Sequence, residues 1–473
     1  MRKFDTRIQD LKYRVLRETA KMAWNDTLLE GVLDIPDIII PGKKPTMRCC
    51  IYKEKAIVSE RVKLAMGGDK ANDNVIEVIE IACDECPIGG YEVTRSCRGC
   101  LAHRCVDACK FGAITIDEHQ KAVIDKSKCK ECGACAKVCP YSAIMDYKRP
   151  CQQACKIGAI TMNEDYAAKI DNDKCISCGA CVYQCPFGAI SEKSYILDAI
   201  NIIKSSEDGK KYKTCAAIAP AFASQFVYAK PGQVISGLKE LGFDEVVEVA
   251  LGADMVTWKE TEELKEKGVL TSSCCPAFVS YVTKEFPELL PYVSSTLSPM
   301  AMIGKHIKDI DTTAKVVFIG PCTAKKMELK RESVAPYVDT VITFEELQAL
   351  YDSKDIDITT LEETSLSDAS YYGRIFARSG GLTEAVKQSI DEQSVEDFEF
   401  KPVVCDGIEN CKIALLKLKR NLLEGNFVEG MACQGGCVSG NGVLTHMAKS
   451  RMDVEKYGKL STITSIKEAI NEQ

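Results

Sequence analysis

Cysteine is the residue type whose abundance and spacing most directly indicate chemistry in this sequence. The 473 residues include 26 cysteines but only 4 histidines and 2 tryptophans. Eighteen of the cysteines lie between Cys49 and Cys185, and the other eight are spread over the following 288 residues. Secreted proteins this rich in cysteine are usually short domains held by disulfides, so a long chain with this pattern predicts metal binding.

Two runs of cysteines have the spacing of bacterial ferredoxins. The first is Cys-x2-Cys-x2-Cys-x3-Cys-Pro from Cys129 to Pro140, and the second repeats it from Cys175 to Pro186. In such runs three thiolates bind one 4Fe–4S cube and the fourth binds a different cube. Zinc is the alternative, but zinc sites usually combine separated Cys-x2-Cys pairs. The runs therefore predict clusters that transfer electrons.

The sequence predicts three such cubes, each bound by a triplet of cysteines and one distant cysteine. Their expected ligand sets are Cys129, Cys132 and Cys135 with Cys109; Cys175, Cys178 and Cys181 with Cys155; and Cys97, Cys100 and Cys105 with Cys139.

The segments starting at Arg104 and Pro150 are copies of each other at a constant offset of 46 residues, and duplication makes an accidental match implausible.

Six cysteines in the N-terminal region belong to none of these three ligand sets. The unused thiols are Cys49, Cys50, Cys83, Cys86, Cys151 and Cys185. The last four form a candidate set for a fourth cube, and a decayed site with spare structural thiols is the alternative.

Three cysteine motifs lie far apart in the C-terminal half, each at a predicted strand-to-loop junction. They are TSSCCPAF at Cys274 and Cys275, GPCTAKKME at Cys322, and GMACQGGC at Cys433 and Cys437. In this order they resemble the signature motifs of iron-only hydrogenases, and the resemblance covers about residues 215–445. It implies an H-cluster, which is a 4Fe–4S cube joined to a diiron unit with CO, cyanide and azadithiolate ligands.

The resemblance also implies which residues hold this cofactor. Cys275, Cys322, Cys433 and Cys437 would bind the cube, and Cys437 would bridge to the diiron unit. Lys325 would hold a cyanide of the diiron unit, and Met431 would pack near that unit. Ser379 and Gly380, just before a predicted helix, would supply backbone hydrogen-bond donors.

Cys274 lies beside a ligand and would itself stay unligated. The resemblance implies that it donates protons, and a thiol pKa of about 8.5 suits that role. The implied route continues through Glu260, Ser294 and Glu263. Two alternatives remain: Thr257-x2-Glu260 also fits a helix capping box, and Glu263 fits a solvated carboxylate.

Two positions depart from the family pattern. Gly320 stands where the family often has Met, and Met300 stands where it often has Gln. Both would face the diiron unit, so the sequence suggests a divergent subgroup whose rate and inhibitor response differ.

Beyond a polar stretch at residues 204–213, strand and helix patterns alternate. KTCAAIAPAF, DEVVEVAL, AKVVFIG and KPVVCDG predict buried strands, and the proline-rich residues 36–45 predict a loop. We expect α+β ferredoxin-like cluster domains followed by an α/β catalytic domain with two sheet-containing lobes around a buried cluster. The expected domains are an N-terminal cysteine-containing region at 1–92, two ferredoxin-like repeats at 93–148 and 149–200, and the catalytic domain at 208–473.

The bulk composition narrows the partners. A net charge of −7 and a pI near 5.5 argue against nucleic acid, and we expect no membrane span and a cytoplasmic location. The predicted function is reversible conversion of protons and electrons to H₂, with ferredoxin or flavodoxin as electron partner and maturation proteins required. The alternatives are an H₂ sensor, an electron-carrier subunit, and a non-catalytic iron–sulfur assembly relative without the diiron unit.

Overall fold

The computed structural model describes residues 4–87, 89–394 and 398–471. Its helices are α1 (Arg7–Trp24), α2 (Leu28–Gly31), α3 (Ile35–Ile39), α4 (Ile51–Ala65), α5 (Arg104–Asp107), α6 (Ala134–Val138), α7 (Pro150–Ala154), α8 (Ala180–Gln184), α9 (Ile196–Ser205), α10 (Pro231–Leu241), α11 (Val249–Lys267), α12 (Pro276–Glu285), α13 (Pro299–Ile310), α14 (Thr323–Glu328), α15 (Phe344–Ser353), α16 (Tyr371–Ile375), α17 (Gly381–Glu392), α18 (Ile408–Lys419), α19 (Ser450–Gly458) and α20 (Ile466–Asn471). Its strands are β1 (Ile76–Val78), β2 (Tyr91–Val93), β3 (Ile114–Ile116), β4 (Ala122–Ile124), β5 (Ile144–Asp146), β6 (Ile160–Met162), β7 (Ala168–Ile170), β8 (Ile190–Glu192), β9 (Thr214–Ile218), β10 (Glu245–Glu248), β11 (Leu270–Thr271), β12 (Lys315–Gly320), β13 (Thr340–Thr343), β14 (Pro402–Asp406) and β15 (Phe427–Met431).

Two parallel sheets build the C-terminal half. The first has the strand order β10-β9-β12-β13, and the second has the order β11-β15-β14. All pairs within both sheets are parallel. Parallel strands need helical crossovers, which is why strands and helices alternate along the sequence here. The four predicted strand segments contain β9, β10, β12 and β14, so the strands are confirmed, but the predicted burial is wrong for β14, an edge strand in which only Cys405 is buried.

Short antiparallel pairs build the cluster-rich region. Strand β3 pairs with β4 and β6 pairs with β7, one pair in each sequence repeat. Two longer-range pairs, β2 with β5 and β1 with β8, frame the repeats. Such short strands bury few side chains, so the interior is filled by cysteines together with isoleucines, alanines and a few other apolar residues.

The N-terminal helix α1 connects the cluster region to the C-terminal half. A capping box between Thr6 and Gln9 begins the helix, and Val15 and Leu16 bury its apolar face. Lys12 forms ion pairs with Glu192, at the end of β8, and with Glu345, at the start of α15. The same junction is fixed by Glu346, which accepts hydrogen bonds from Ser194 Oγ (2.5 Å), Lys326 Nζ (2.9 Å) and the Tyr195 amide (3.0 Å).

One sequence expectation about local structure is wrong. Residues 36–45 were expected to form a loop, but helix α3 occupies Ile35–Ile39. Pro36 lies in the first turn of that helix, where a missing amide hydrogen costs nothing. Within the described residues, no helix combines the length and the apolar composition needed to cross a lipid bilayer.

Candidate active site

The cysteines of the three C-terminal motifs lie where parallel strands end. Cys275 follows β11 and caps α12, Cys322 follows β12 and caps α14, and Cys433 and Cys437 follow β15. Strand β12 belongs to one sheet, whereas β11 and β15 belong to the other. The carboxyl ends of parallel strands are the usual place for a site, and here the ends of two sheets face one cavity.

All four of these cysteines line a single cavity of about 90 Å³. Its other walls are almost entirely apolar and include Pro220, Phe376 and Met431. The sequence-predicted ligands of the H-cluster cube are therefore brought together by the fold, although they are up to 162 residues apart (from Cys275 to Cys437).

The donor chemistry of this cavity fits an iron–sulfur cube. Burial, followed by the charges of the neighbouring thiols, raises the pKa of Cys322 to about 11 and that of Cys437 to about 12, and it raises the pKa of Cys433 well above its usual value. Four crowded thiolates are stable in such surroundings only when they bind cations. In the described residues, no three His, Cys, Asp or Glu side chains converge on a single ion. A cube spreads its four thiolates over separate corners, so it does not require such convergence.

Lys325 lies at the cavity wall with its ammonium group held from three sides. Its Nζ donates to Glu328 Oε2 (2.7 Å), Ser298 Oγ (2.9 Å) and the carbonyl of Cys274 (3.3 Å). These contacts fix a cation beside the cavity, where an anionic ligand such as cyanide would meet it. Ser298 was not anticipated from the sequence, and its position before Pro299 marks it only as a helix cap.

The two positions that depart from the family pattern differ in their surroundings. Met300 lines the cavity together with Met431, as predicted for residues near the diiron unit. Gly320 is not among the lining residues, because the ring of Phe318 packs against the place where a side chain at 320 would lie. Phe318 itself lines the cavity. The missing side chain at 320 thus makes room for an aromatic ring.

The backbone donors predicted at Ser379 and Gly380 are directed elsewhere. The Gly380 amide donates to Glu429 Oε1 (2.7 Å), and the Ser379 amide donates to the carbonyl of Gly435 (3.1 Å). Thr383, in the first turn of α17, donates to the other oxygen of Glu429 (2.8 Å). The start of α17 therefore binds an internal carboxylate, and neither Ser379 nor Gly380 lines the cavity.

Of the two inner residues of the predicted proton route, Cys274 lines the cavity and Glu260 does not. Cys274 is buried there, and burial followed by the charge of Glu260 raises its pKa well above the usual thiol value. Glu260 is fully buried in α11, and burial raises its pKa to about 7 against the hydrogen bonds from Ser273 and Ser294. Its Oε1 accepts from the Ser273 amide (3.0 Å), whereas Oε2 accepts no hydrogen bond from the residues that the structure describes. Ser273 was not anticipated from the sequence.

The outer half of the route reaches the surface. Ser294 Oγ donates to Glu263 Oε2 (2.8 Å), and Glu263 forms an ion pair with Lys267 (2.7 Å), whose side chain is 37% exposed. Burial would raise the pKa of Glu263, but the hydrogen bonds from Lys267 and from Ser294 and Ser295 hold it below its usual value. The structure therefore places Cys274 at the cavity and joins Ser294 to Glu263 towards the surface, and the complete route through Glu260 stays a prediction.

The capping-box alternative for Glu260 is wrong. Thr257 and Glu260 lie inside helix α11, not at its start, and the Thr257 hydroxyl donates to the carbonyl of Ala253 (2.8 Å). The simple solvated-carboxylate alternative does not describe Glu263 either, because its side chain is only 11% exposed and is bound by three groups.

In the first repeat, several of the ferredoxin-like cysteines lie close to the partners that the sequence predicts for them. The thiols of Cys129 and Cys109 both raise the pKa of Cys135, and those of Cys100 and Cys139 raise the pKa of Cys105, in each case after burial. Backbone amides four residues later donate to the sulfur in three copies of one turn. These pairs are Ala113 with Cys109 (3.3 Å), Ala143 with Cys139 (3.4 Å) and Ala159 with Cys155 (3.2 Å). Such N–H···S contacts stabilise thiolates that bind iron.

The ferredoxin-like set of Cys155, Cys175, Cys178 and Cys181 borders the C-terminal cavity. Cys178 is close enough to Cys322 for the charge of Cys322 to raise its pKa, after burial and the nearer thiols, to about 12. Thr323, next to Cys322, donates to the carbonyl of Ser177 (3.0 Å), next to Cys178. A cube held by this set would be the one adjacent to the H-cluster site.

Comparison with known families places these features. Residues 212–441 match the model of the C-terminal domain of the iron only hydrogenase large subunit. This part of the chain belongs to the iron-only hydrogenase family. Residues 96–143 match a 4Fe–4S dicluster domain and residues 168–191 match a 4Fe–4S binding domain. The predicted family and the predicted fold class, with ferredoxin-like domains before an α/β domain of two sheets, are therefore confirmed.

Individual relatives in this family include enzymes and other proteins. The chain is 29% identical to Iron hydrogenase 1 of Clostridium pasteurianum, over 48% of each chain. It is 26% identical to the cytosolic Fe-S cluster assembly factor NAR1 of Yarrowia lipolytica, over 43% of this chain and 58% of that protein. The solved structure of an apo [FeFe]-hydrogenase HydA1 variant from Chlamydomonas reinhardtii has a TM-score of 0.48 and 21% identity, covering 59% of this chain and 93% of that one. The chain thus spans about half of the length of the curated relatives it matches.

Proposed function

We propose that this chain is an iron-only hydrogenase that interconverts H₂ with two protons and two electrons. The proposal rests mainly on one arrangement, in which an unligated buried thiol and a buried carboxyl lie beside the site for the cube. A protein that only holds or passes on clusters has no use for a proton route into the cavity. Cys274 and Glu260 supply the inner part of such a route.

The cofactor that fits this site is the H-cluster, held by Cys275, Cys322, Cys433 and Cys437. When bound, it supplies the metal centre at which protons and electrons combine, and the protein supplies position, charge and proton transport. We propose that Cys274 is the last group to hold a proton before the metal centre. Its sulfur lies at the cavity wall, and its neighbour Glu260 can exchange a proton with it.

The outer residues then connect Glu260 with solvent. Because the pKa of Glu260 lies near 7, its carboxyl group can either give or take a proton at neutral pH. Ser294 carries a hydroxyl between Glu260 and Glu263, and Glu263 is the member nearest to solvent. The apolar walls, including Met300 and Met431, exclude water, so protons would enter the cavity through these side chains and not through bulk solvent.

Electrons would enter through the ferredoxin-like cubes. The set formed by Cys155, Cys175, Cys178 and Cys181 borders the H-cluster site, and Cys132, in another set, is exposed. Residues 90–148 contain ten Lys and Arg against seven Asp and Glu, in a chain whose net charge is −7. A locally basic surface favours a small acidic electron carrier, and we propose ferredoxin or flavodoxin as the partner.

A non-catalytic role is the second candidate. The assembly factor from Yarrowia lipolytica is nearly as similar to this chain as the Clostridium hydrogenase is, with 26% and 29% identity. In that case the cubes would form but the diiron unit would not, and the buried proton route would have no purpose.

Infrared spectroscopy on protein produced without oxygen together with hydrogenase maturation proteins tests the proposal. The H-cluster carries CO and cyanide ligands, whose stretching bands fall where protein does not absorb. We expect these bands, and H₂ release when reduced viologen supplies electrons. A sample with its cubes intact but without these bands would refute the proposal and favour the non-catalytic role. A sample with the bands but without H₂ turnover would favour a sensor.

A further inference from the structure

Four of the cysteines that the three ferredoxin-like sets do not use come together in the fold. Cys83, Cys151 and Cys185 are buried in one core cluster, and Cys86 is partly buried. Cys86 belongs to the same Cys-x2-Cys pair as Cys83, so the four lie close together although they span more than 100 positions in the sequence.

The strands around these cysteines repeat an arrangement found in the first ferredoxin-like repeat. Strand β2 pairs with β5 through Tyr91 and Asp146, Glu92 and Met145, and Val93 and Ile144. Strand β1 pairs with β8 through Ile76 and Glu192, Glu77 and Ser191, and Val78 and Ile190. The partners in β8 lie 46 residues after those in β5, which is the offset of the sequence repeat. Strand β1 is therefore the structural counterpart of β2.

The hydrogen bonds that follow these strands extend the match. The amide of Thr94, directly after β2, donates to the carbonyl of Ala143 (2.7 Å). The amide of Ile79, directly after β1, donates to the carbonyl of Ala189 (2.6 Å), again 46 residues later.

The cysteine pairs then follow at similar distances along the chain. Cys97 lies four residues after β2, and Cys83 lies five residues after β1. Each of them begins a Cys-x2-Cys pair, and the second members are Cys100 and Cys86. The pair at Cys83 and Cys86 therefore has the position in the second repeat that the pair at Cys97 and Cys100 has in the first.

The remaining two cysteines of each ligand set are also related by the offset of 46 residues. In the first repeat the pair is joined by Cys105 and Cys139, and the residues 46 positions later are Cys151 and Cys185. The amide contact to sulfur is also repeated, because Ala189 donates to Cys185 Sγ (3.2 Å) as Ala143 does to Cys139.

The two repeats are therefore nested in the chain and not simply consecutive. The second repeat begins with β1 and the Cys83 pair, is interrupted after Cys86, and resumes at α7 with Cys151. The first repeat fills the interruption. Its two ends meet, because Arg149 Nε donates to the carbonyl of Pro87 (2.9 Å).

The charges around the four thiols point to an anionic occupant. Arg149 is buried and its Nη1 lies 3.6 Å from Cys83 Sγ. Arg61 is also buried and donates to the carbonyl of Gly188 (2.6 Å), and its Nε has no hydrogen-bond partner in the described part of the chain. Neither guanidinium forms an ion pair with a carboxylate among the described residues. A cube with four thiolate ligands is a net anion, and it would balance these two buried cations.

We propose that Cys83, Cys86, Cys151 and Cys185 hold a fourth 4Fe–4S cube. It would lie next to the cube that borders the H-cluster site, since Cys181, a ligand of that cube, is buried in the same core cluster as Cys83, Cys151 and Cys185. It would also adjoin the first repeat, which begins directly after Cys86. If the chain is a hydrogenase, this cube passes one electron at a time between the cubes of the first repeat and the cube that borders the H-cluster site. Each transfer oxidises one cube, reduces its neighbour, and changes no bond or proton.

Counting iron and acid-labile sulfide tests this site directly. The chain produced without maturation proteins, and reconstituted without oxygen, should contain about 20 iron atoms, four for each of five cubes. A reproducible value of about 16 would refute the fourth cube. Changing both Cys83 and Cys86 to Ser should remove about four iron and four sulfide atoms, and an unchanged count would contradict the proposal.

Two matched double variants control this experiment. Changing Cys49 and Cys50 to Ser alters two exposed thiols from the same region, and it should leave the count unchanged. Changing Cys129 and Cys132 to Ser removes the same number of thiols at the same spacing from a ferredoxin-like run, and it should also lower the count by about four. A count depends on neither the diiron unit nor H₂ turnover, so this proposal and the hydrogenase proposal can fail independently.

Discussion

Replacing Glu260 with Gln tests the proton route at its most buried point. The two side chains have the same shape, so the amide oxygen can keep accepting from the Ser273 amide, which now donates to Glu260 Oε1 at 3.0 Å. An amide cannot release a proton at neutral pH. We therefore expect the rates of H₂ evolution and oxidation to fall about 10²- to 10⁴-fold, the range for losing a positioned acid or base. The infrared bands should stay unchanged.

The raised pKa of Glu260 also predicts an effect on stability. Moving this pKa from 4.5 to about 7 corresponds to about 3 kcal/mol, because one pKa unit is worth about 1.4 kcal/mol. The carboxyl binds its proton more tightly in the folded state, so its contribution to stability is full below pH 4.5 and is lost as the pH rises through about 7. The Gln variant cannot ionise. It should therefore gain stability over the native chain as the pH rises, by up to about 3 kcal/mol above pH 7.

Three measurements decide the matter. Rates with viologen, infrared spectra, and thermal midpoints on both sides of pH 7 should be recorded for the native chain and the Gln variant. Glu262→Gln is the matched control, because Glu262 is exposed on the same helix and should change none of them. A Glu260→Gln protein with native rates and intact infrared bands would show that protons do not pass this residue. A stability difference independent of pH would show that burial does not raise the pKa of Glu260.

Three further changes should have separate signatures. Cys274→Ala should remove nearly all H₂ turnover while preserving the infrared bands, and native turnover would refute its role as proton donor. Glu248→Gln weakens the buried pair with Arg374 (2.6 Å) and should lower the free energy of unfolding by roughly 3 kcal/mol or more, measured by chemical denaturation. Gly430→Ala places a Cβ about 2.5 Å from the Phe278 ring, and should lower the same free energy by about 1–3 kcal/mol without changing the iron count.

The cysteine spacing could reveal the site because covalent metal ligands leave a local record in the sequence. Cys275, Cys322 and Cys433 follow strands, and strands with apolar runs are readable from their composition. Which strands pair with which was not readable. Strand β11 has two residues and pairs with β15 more than 150 residues later, so its place is fixed by long-range packing alone.

Polar residues that serve the interior were the hardest to predict. Glu429 lies in β15, and its carboxylate accepts from the amide of Gly380, which the sequence suggested as a donor to a cofactor, and from the amide of Thr383. A motif shows that a helix N-terminus can bind an anion, but it does not show whether that anion is a cofactor or a carboxylate of the protein itself. Ser298 and Ser273 were missed for a similar reason. Their roles come from the position of Lys325 and Glu260 in space, and no spacing in the sequence encodes it.

The contact between Pro87 and Arg149 has a consequence for how such chains change in evolution. Because the intervening stretch leaves and returns at one point, its loss or exchange would reconnect the flanking segments without rethreading any other part. The number of cubes in the chain would then change by a whole repeat, while the C-terminal cavity kept its surroundings. Exchange of this one stretch would then adapt the chain to electron carriers of different size or reduction potential.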